Sequence, residues 1–341
     1  MVANRTTDMF ACLAKFDGEV ISVNQKGILV KYSNGEMKGV KLGRQFGKAE
    51  GSVYPHDVIT RLKPGQKFVK GDAIAYNTSF FEQDFIDPKR IVMKSSLMAR
   101  VALMESPLTH EDSSAISTRL SQRLRAKTTK VKSFTVNFRQ EIVNPVAIGD
   151  SVKPDTVLLT ISDEITSVGG TFNENDLAVL SRLSKSSPKA KYFGTIDRIE
   201  VLYHGDKEDM TSSLRTLADA SDRMFAAEAK SVGETIVTGS VNGDYRVKGT
   251  PLTLDNAEIK IYLTVANEPG VGDKAVFGLQ LKSTHSSSYT NRITDENGQD
   301  IDAIFGARSV ANRIVESFYI IGTTSTLALE IGKRAVKAYR K

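Results

Sequence analysis

A chain of 341 residues is too long for one ordinary hydrophobic core and suits two or three modules, each burying its own apolar centre. Hydrophobic residues at 40% and charged residues at 25% exclude a disordered or collagen-like chain, and the formal net charge of +6 suits a polyanionic partner without identifying one. Cys12 is the single cysteine, which excludes an internal disulfide framework and a multi-cysteine zinc site and fits a reducing cytoplasm or a virion interior. No apolar run approaches the roughly 18 residues of a spanning helix, and Arg5 and Asp8 are not followed by a secretory apolar core, so neither a membrane segment nor an export signal is expected.

In chain order, Glu19 to Val23 and Ile28 to Tyr32 are short β-branched runs broken by Gly18 and Gly27, which predicts a hairpin. From Leu62 to Ala75, turn signals at Pro64-Gly65 and Gly71-Asp72 flank a short strand and lead into another. A related phrase returns at Gly149-Asp150-Ser151-Val152-Lys153-Pro154, which implies two similar small barrels. Thr211 to Lys230, with Leu214, Leu217, Ala218, Met224, Phe225 and Ala229, predicts a mostly helical stretch or a helix pair, and Ala257 to Val265 an alternating strand followed by a turn at Glu268-Pro269-Gly270. The apolar stretch Phe318 to Ile331 fits helix or strand by period, and the tail beyond it is basic: Lys333, Arg334, Lys337, Arg340 and Lys341.

Three constellations can carry chemistry. The first is the acidic pair Glu111 and Asp112, a carboxylate type that suits magnesium; strand neighbours point to opposite faces, which favours one of them, Asp112. The second is Gly270-Val271-Gly272-Asp273-Lys274 with Lys282 eight residues on, two cations after a glycine-rich turn that can hold phosphate or stand as plain surface lysines. The third is Arg308 and Arg313 about Asn312, suited to a phosphate backbone or to a structural ion pair. Between Asp112 and Glu141 no acidic residue occurs while Arg119, Arg123, Arg125, Lys127, Lys130, Lys132 and Arg139 all fall there, a nucleic-acid-facing field or a solvated face. His56, His110, His204 and His285 lack metal-ligand spacing, and no Walker loop, nucleophile elbow or dinucleotide fingerprint is present.

The order of these motifs resembles the β subunit of multisubunit DNA-dependent RNA polymerases, in the split form found in giant bacteriophages. Glu111-Asp112-Ser113-Ser114-Ala115-Ile116-Ser117-Thr118-Arg119-Leu120 is similar to the family's acidic-pair stretch, and Ile148 to Leu158 to its phrase at the base of the flap. Gly194 to Val201 resembles the flap strand, and Ile259 to Val265, Val271-Gly272-Asp273-Lys274 and Lys282 resemble the strand, turn and two lysines of the catalytic barrel. Asp295-Glu296-Asn297-Gly298 and Ile301-Asp302 resemble the segment that follows. The chain departs from the pattern at Gly278-Leu279-Gln280-Leu281 before Lys282, where the family has Arg-His-Gly-Asn, and at Val310, which stands where the family has an arginine.

The resemblance implies a mainly β fold with minor α, multi-barrel, including a double-psi β-barrel interrupted by a flap-like insertion. The expected divisions are 1–100, a β-barrel-like module; 101–140, the first part of the double-psi barrel; 141–254, the flap-like arm; and 255–341, the second part with the basic tail. The insert would begin and end on neighbouring strands, so that 191–248 could be removed without unfolding the rest. Lys274 and Lys282 would hold the RNA 3′ end and the triphosphate, and Asp112, with Glu111, would assist magnesium held mainly by a β′-type partner. Arg119, Arg123, Arg125, Lys127, Arg308 and Arg313 would meet nucleic acid. Partners would be β′-type polypeptides, the remaining β-type fragments, template DNA, RNA and nucleoside triphosphates, in an infected bacterium or inside the virion, with no membrane. Two other readings compete: a structural phage protein or non-catalytic assembly module that keeps the barrels, and a lipoyl-type carrier domain, which would need a lysine at a hairpin tip.

Overall fold

The computed structural model describes residues 2–84, 86–94, 96–163 and 186–339. At 41% strand and 20% helix the chain is mainly β with minor α, and none of the sheets among the described residues closes on itself. Residues 164–185, inside the expected arm, and Arg340 and Lys341 of the basic tail lie outside the described residues.

The strands, in chain order, begin with β1 (Ala11–Leu13), β2 (Gly18–Val23), β3 (Gly27–Tyr32), β4 (Met37–Lys41), β5 (Gly43–Ala49), β6 (Ser52–Ile59), β7 (Lys67–Phe68) and β8 (Ala73–Asn77). They continue with β9 (Phe81–Gln83), β10 (Ile91–Met93), β11 (Val101–Leu103), β12 (Ser113–Ser117), β13 (Ala126–Asn137), β14 (Glu141–Val143), β15 (Ser151–Val152), β16 (Thr160–Ser162) and β17 (Gly194–His204). The last are β18 (Arg246–Val247), β19 (Thr250–Pro251), β20 (Asn256–Asn267), β21 (Lys274–Phe277), β22 (Leu281–Tyr289) and β23 (Ala303–Phe305). The α-helices are α1 (Thr118–Arg123), α2 (Ser212–Val232), α3 (Ala307–Asn312) and α4 (Glu316–Tyr339). They divide between two compact units, 1–95 with 127–266, and 96–126 with 267–341.

In the first unit an eight-stranded sheet runs β1-β8-β6-β13-β20-β17-β15, with β5 on β6, and a four-stranded sheet runs β4-β3-β2-β7. The hairpin expected at the start is β2 against β3, from Gly18↔Tyr32 to Val23↔Ile28. Residues 1–95 keep the β4-β3-β2-β7 sheet to themselves, but β1, β5, β6 and β8 share the larger sheet with β13, β15, β17 and β20. Strand β20 lies between β13 and β17, and Ala257, Ile259, Ile261 and Leu263 are buried on one face while Glu258 and Thr264 are buried on the other. The buried Glu258 carboxylate is not left without partners: the Ser133 and Tyr245 hydroxyls donate to it and Lys260 Nζ lies 3.4 Å away.

Helix α2 forms because Leu214, Ala218, Ser221, Asp222, Ala229 and Val232 recur on one face, and it ends at Gly233, whose φ of +72° suits a glycine stop. Arg198 on β17 donates twice to the Glu228 carboxylate on α2, at 2.6 and 3.1 Å, a bidentate tie between sheet and helix. The last turn of α2 lies against β3 and β4 so closely that a Cβ on Gly39 would stand 2.0 Å from the Val232 carbonyl oxygen. The expectation that 191–248 could be excised meets a physical obstacle. Strand β17 pairs with β20 from Thr195↔Thr264 to His204↔Asn256, and Ile196, Val201, Tyr203, Leu214 and Ala218 belong to the core beneath.

The second unit carries a five-stranded sheet, β11-β23-β12-β22-β21. Strands β11 and β23 pair in parallel, as do β12 and β22, while β12 with β23 and β21 with β22 are antiparallel. Its core gathers Ile116, Leu120, Phe277, Leu281, Phe305, Val310 and Phe318. No helix among the described residues is long and apolar enough to cross a membrane.

Two substitutions test this packing. Gly39→Ala should lower stability by about 1–3 kcal/mol through overpacking against Val232, while Gly270→Ala, which meets open space, should be near neutral, both read from urea denaturation. Deleting 191–248 should abolish the cooperative transition of the first unit in circular dichroism; a deletion variant that melts like the parent would show that β17 and α2 are dispensable.

Candidate functional site

The candidate site is built on β12, β21 and β22. Glu111 sits in a turn closed by Ser113 N–H on the His110 carbonyl (3.1 Å) and by His110 N–H on Ser113 Oγ (2.6 Å), with φ of +51°. The turn, rather than strand alternation, separates the two acids. Glu111 is exposed, and Asp112 enters the edge of the sheet, where its carbonyl accepts the Thr284 N–H at 3.2 Å.

Register then fixes the lysines. Ser113 stands opposite Thr284, Thr284 opposite Lys274, and Lys282 opposite Val276. Along β22 Lys282, Thr284 and Ser286 are exposed while Leu281, Ser283 and His285 are buried, so Lys274 and Lys282 share one solvent-facing surface as diagonal cross-strand neighbours. Lys274 itself is set by a turn in which Gly272 has φ of +93° and the Asp273 carboxylate accepts the Gly270 N–H at 2.8 Å. Gly71-Asp72 and Gly149-Asp150 make the same turn: φ is +93° and +99°, and the Asp side chain accepts from Val69 N–H (3.0 Å) and Ala147 N–H (2.7 Å). The repeated phrase is a turn device found at three places among the described residues, the third at Gly272-Asp273.

Arg313 joins the parts. Its guanidinium pairs with Asp112 Oδ1 and donates to the Lys282 carbonyl at 2.8 Å, and Ser309 Oγ donates to the same Asp112 oxygen at 3.1 Å. The Arg313 guanidinium, helped by the Ser309 hydroxyl, holds the Asp112 carboxyl below the ordinary aspartate range. Arg308 is exposed and contributes its backbone N–H to Glu105 at 2.8 Å. Val310 is fully buried in the core, so no charged side chain could sit there without rebuilding that core. Ser309 and Thr284 were not singled out from sequence; the alternation Lys282, Thr284, Ser286 was the available signal.

The basic stretch is largely matched by acid. Arg119 pairs with Asp300 and Asp302, Arg123 with Asp302 (3.3 Å) and Arg125 with Glu268, while Lys127, in the first unit, lies 3.5 Å from Asp57. Asp302 is only 5% exposed and also accepts the Arg100 N–H at 2.9 Å, so the two arginines compensate a carboxylate withdrawn from water. Beneath the lysine face, Ser114 Oγ meets His285 Nδ1 at 3.0 Å and Ser283 Oγ donates to Ser114 Oγ at 2.8 Å. Burial lowers the His285 pKa, against a smaller opposing effect of Asp273.

Among the described residues no group of three or more His, Cys, Asp or Glu side chains could hold a metal ion. Asp112 alone, 71% exposed and with both contacts on Oδ1, fits an outer contact to the water shell of a magnesium ion that other carboxylates hold.

The Asp112 contact has a pH signature. Its folded pKa is depressed, so its stabilisation is present above about pH 4, where the unfolded carboxyl is ionised, and is lost as pH falls through the folded pKa. In an NMR titration of the carboxyl carbons, Arg313→Ala should move the Asp112 midpoint upward toward the ordinary aspartate value. Identical midpoints in the two proteins would mean that the pair does not form.

No protein-family model matches the chain, and no curated protein does.

Proposed function

We propose that this chain is a fragment of the β-type subunit of a DNA-directed RNA polymerase of the split kind made by giant bacteriophages, acting only inside a multisubunit assembly in the infected bacterium or the virion. The observation that carries the reading is the register of β12, β22 and β21, which brings Asp112, Lys274, Lys282 and Arg313 together from segments far apart in sequence. The discontinuity of the second unit supports it too, since 96–126 and 267–341 flank 127–266 as a barrel interrupted by an insertion would. On this reading the open five-stranded sheet with its two parallel pairs is the described part of a double-psi barrel.

The chemistry is transfer of a nucleotidyl group: the RNA 3′ hydroxyl attacks the α-phosphate, and pyrophosphate leaves. Magnesium, when bound, supplies charge neutralisation on the phosphates, and the β′-type partner would provide its main carboxylates. Lys274 and Lys282 hold the triphosphate and RNA end as cations on a preorganised sheet face, each worth about 4 kcal/mol before desolvation at ~4 Å and an effective dielectric near 20. Arg313, rather than Arg308, is the arginine tied to this face, where it fixes the Lys282 backbone and the Asp112 carboxylate. Arg308 remains as a cation for nucleic acid, whereas Arg119, Arg123, Arg125 and Lys127 would have to exchange a carboxylate partner for phosphate.

The neutralisation of those four cations favours a second reading, a non-catalytic assembly module that keeps the sheets and has lost the chemistry. Lys282→Ala separates the two. In the reconstituted assembly, single-nucleotide addition on a preassembled RNA–DNA scaffold at saturating nucleotide should fall by roughly 10² to 10³, with template binding unchanged. Lys31→Ala, an exposed lysine of the first unit, should leave the rate alone. A Lys282→Ala rate within about threefold of the parent, the size of an ordinary surface substitution, would assign the chain to the second reading. The chain by itself should incorporate no nucleotide.

A further inference from the structure

His285 touches all three segments that make the lysine face. It lies on β22 beyond Lys282, at the irregularity in the pairing with β12: Ser114 stands opposite His285 and Ala115 opposite Ser287, so Ser286 is an inserted residue. The His285 N–H donates to the Asp273 carbonyl and its own carbonyl accepts the Gly272 N–H, both at 2.8 Å, which clasps the turn that delivers Lys274. The ring is 2% exposed and places Nδ1 3.0 Å from Ser114 Oγ, on the strand that Asp112 leads into.

The proton positions follow from the hydroxyls. Ser283 Oγ donates to Ser114 Oγ at 2.8 Å, so the Ser114 proton turns to His285 Nδ1 and the ring carries its own proton on Nε2, which has no partner among the described residues. A second proton has to enter at Nδ1, where it meets the Ser114 hydroxyl proton and forces that hydroxyl to turn away. The resulting charge would sit in a site withdrawn from water with one N–H unpaired. Asp273 on the adjoining turn is the charged group that acts on the ring, and burial outweighs it, so the His285 pKa is lowered. Ser114 on β12 and Phe305, opposite it on β23, carry no charge, while Asp112, Lys274 and Lys282 stand at exposed positions.

We propose that His285 is a positioning residue: its neutral ring, held by Ser114, seats the bulge of β22 against β12 and so keeps Asp112, Lys274 and Lys282 on one face, which loosens when the ring takes a proton. The polymerase reading enters only in what the face does. Above about pH 6.5 the ring is neutral in both the folded and the unfolded chain; as pH falls from there through the depressed folded pKa this stabilisation is lost, beginning well above the Asp112 window.

The test follows the Thr284 amide, which donates to the Asp112 carbonyl, by hydrogen exchange in the full chain, while NMR follows the His285 ring. The Thr284 protection factor should fall about tenfold between pH 7 and 5, the effect of one unit of pKa depression, and level off where the folded ring is protonated. The Val201 amide, bonded to Ser221 Oγ in the first unit, should keep its protection. His285→Asn, whose side-chain oxygen accepts from Ser114 without titrating, should hold the pH 7 protection within about threefold and lose the pH dependence. A flat Thr284 profile in the parent, which needs no variant, would overturn the proposal, as would an equal loss at Val201 or a His285→Asn protein that keeps the pH dependence. In the reconstituted assembly, the ratio of parent to His285→Asn rates of single-nucleotide addition should fall over the same range. If no addition occurs at any pH while Thr284 still responds as expected, the polymerase reading falls and the positioning role stands.

Discussion

The parallel pairing of β12 with β22 is the constraint on which the candidate face depends. It joins Ser113 to Thr284 across roughly 170 residues of intervening chain, a loop whose closure entropy must be offset by the sheet and the core it caps. Phe305, Ile116 and Leu281, each nearly or fully buried, supply that offset, and the Ser114 and Ser283 hydroxyls and His285 Nδ1 pair with one another beneath the face, while His285 Nε2 has no partner among the described residues. Once Thr284 is paired on both sides, Asp112, Lys274 and Lys282 have no freedom of placement left beyond their own side-chain rotamers.

Charge in this protein is arranged largely by neutralisation within the chain. The run from Arg119 to Lys127 meets carboxylates from Asp57, Glu268, Asp300 and Asp302, which arrive from distant parts of the sequence. Exposed pairs of this kind contribute little each, about 0–1 kcal/mol, but Asp302 is nearly buried and would be costly alone, so Arg119 and Arg123 are tied to the fold as well as to the surface. The net charge of +6 therefore understates the order in the distribution: arginines matched by acid, and a separate pair of lysines whose charge faces outward.

The Gly-Asp turn shows how a small device can be reused for different ends. At Gly71-Asp72 and Gly149-Asp150 it feeds short strands of the first unit, and at Gly272-Asp273 it delivers Lys274 to the sheet face. Glycine takes the left-handed backbone that a β-carbon would resist, and the aspartate closes the turn by accepting the N–H three residues back. The recurrence that suggested two matching barrels reflects this local geometry, while the sheets among the described residues remain open.

The sequence by itself determined the local structure. Alternation placed β20, β-branched runs broken by glycine placed the β2–β3 hairpin, helical spacing placed α2 within two residues of its ends, and the glycine signals marked the turns. These are short-range effects of sterics and periodicity, carried by neighbouring residues. Only the tertiary structure decided that Arg313 meets Asp112, that Val310 is core, that Arg119 is compensated by Asp302, and that β17 and α2 contribute to the core of the first unit. Each of these depends on which strand edges meet and in what register. A slip of one residue would turn Lys282 inward and Leu281 outward, and no local pattern in the chain specifies the partner that prevents it.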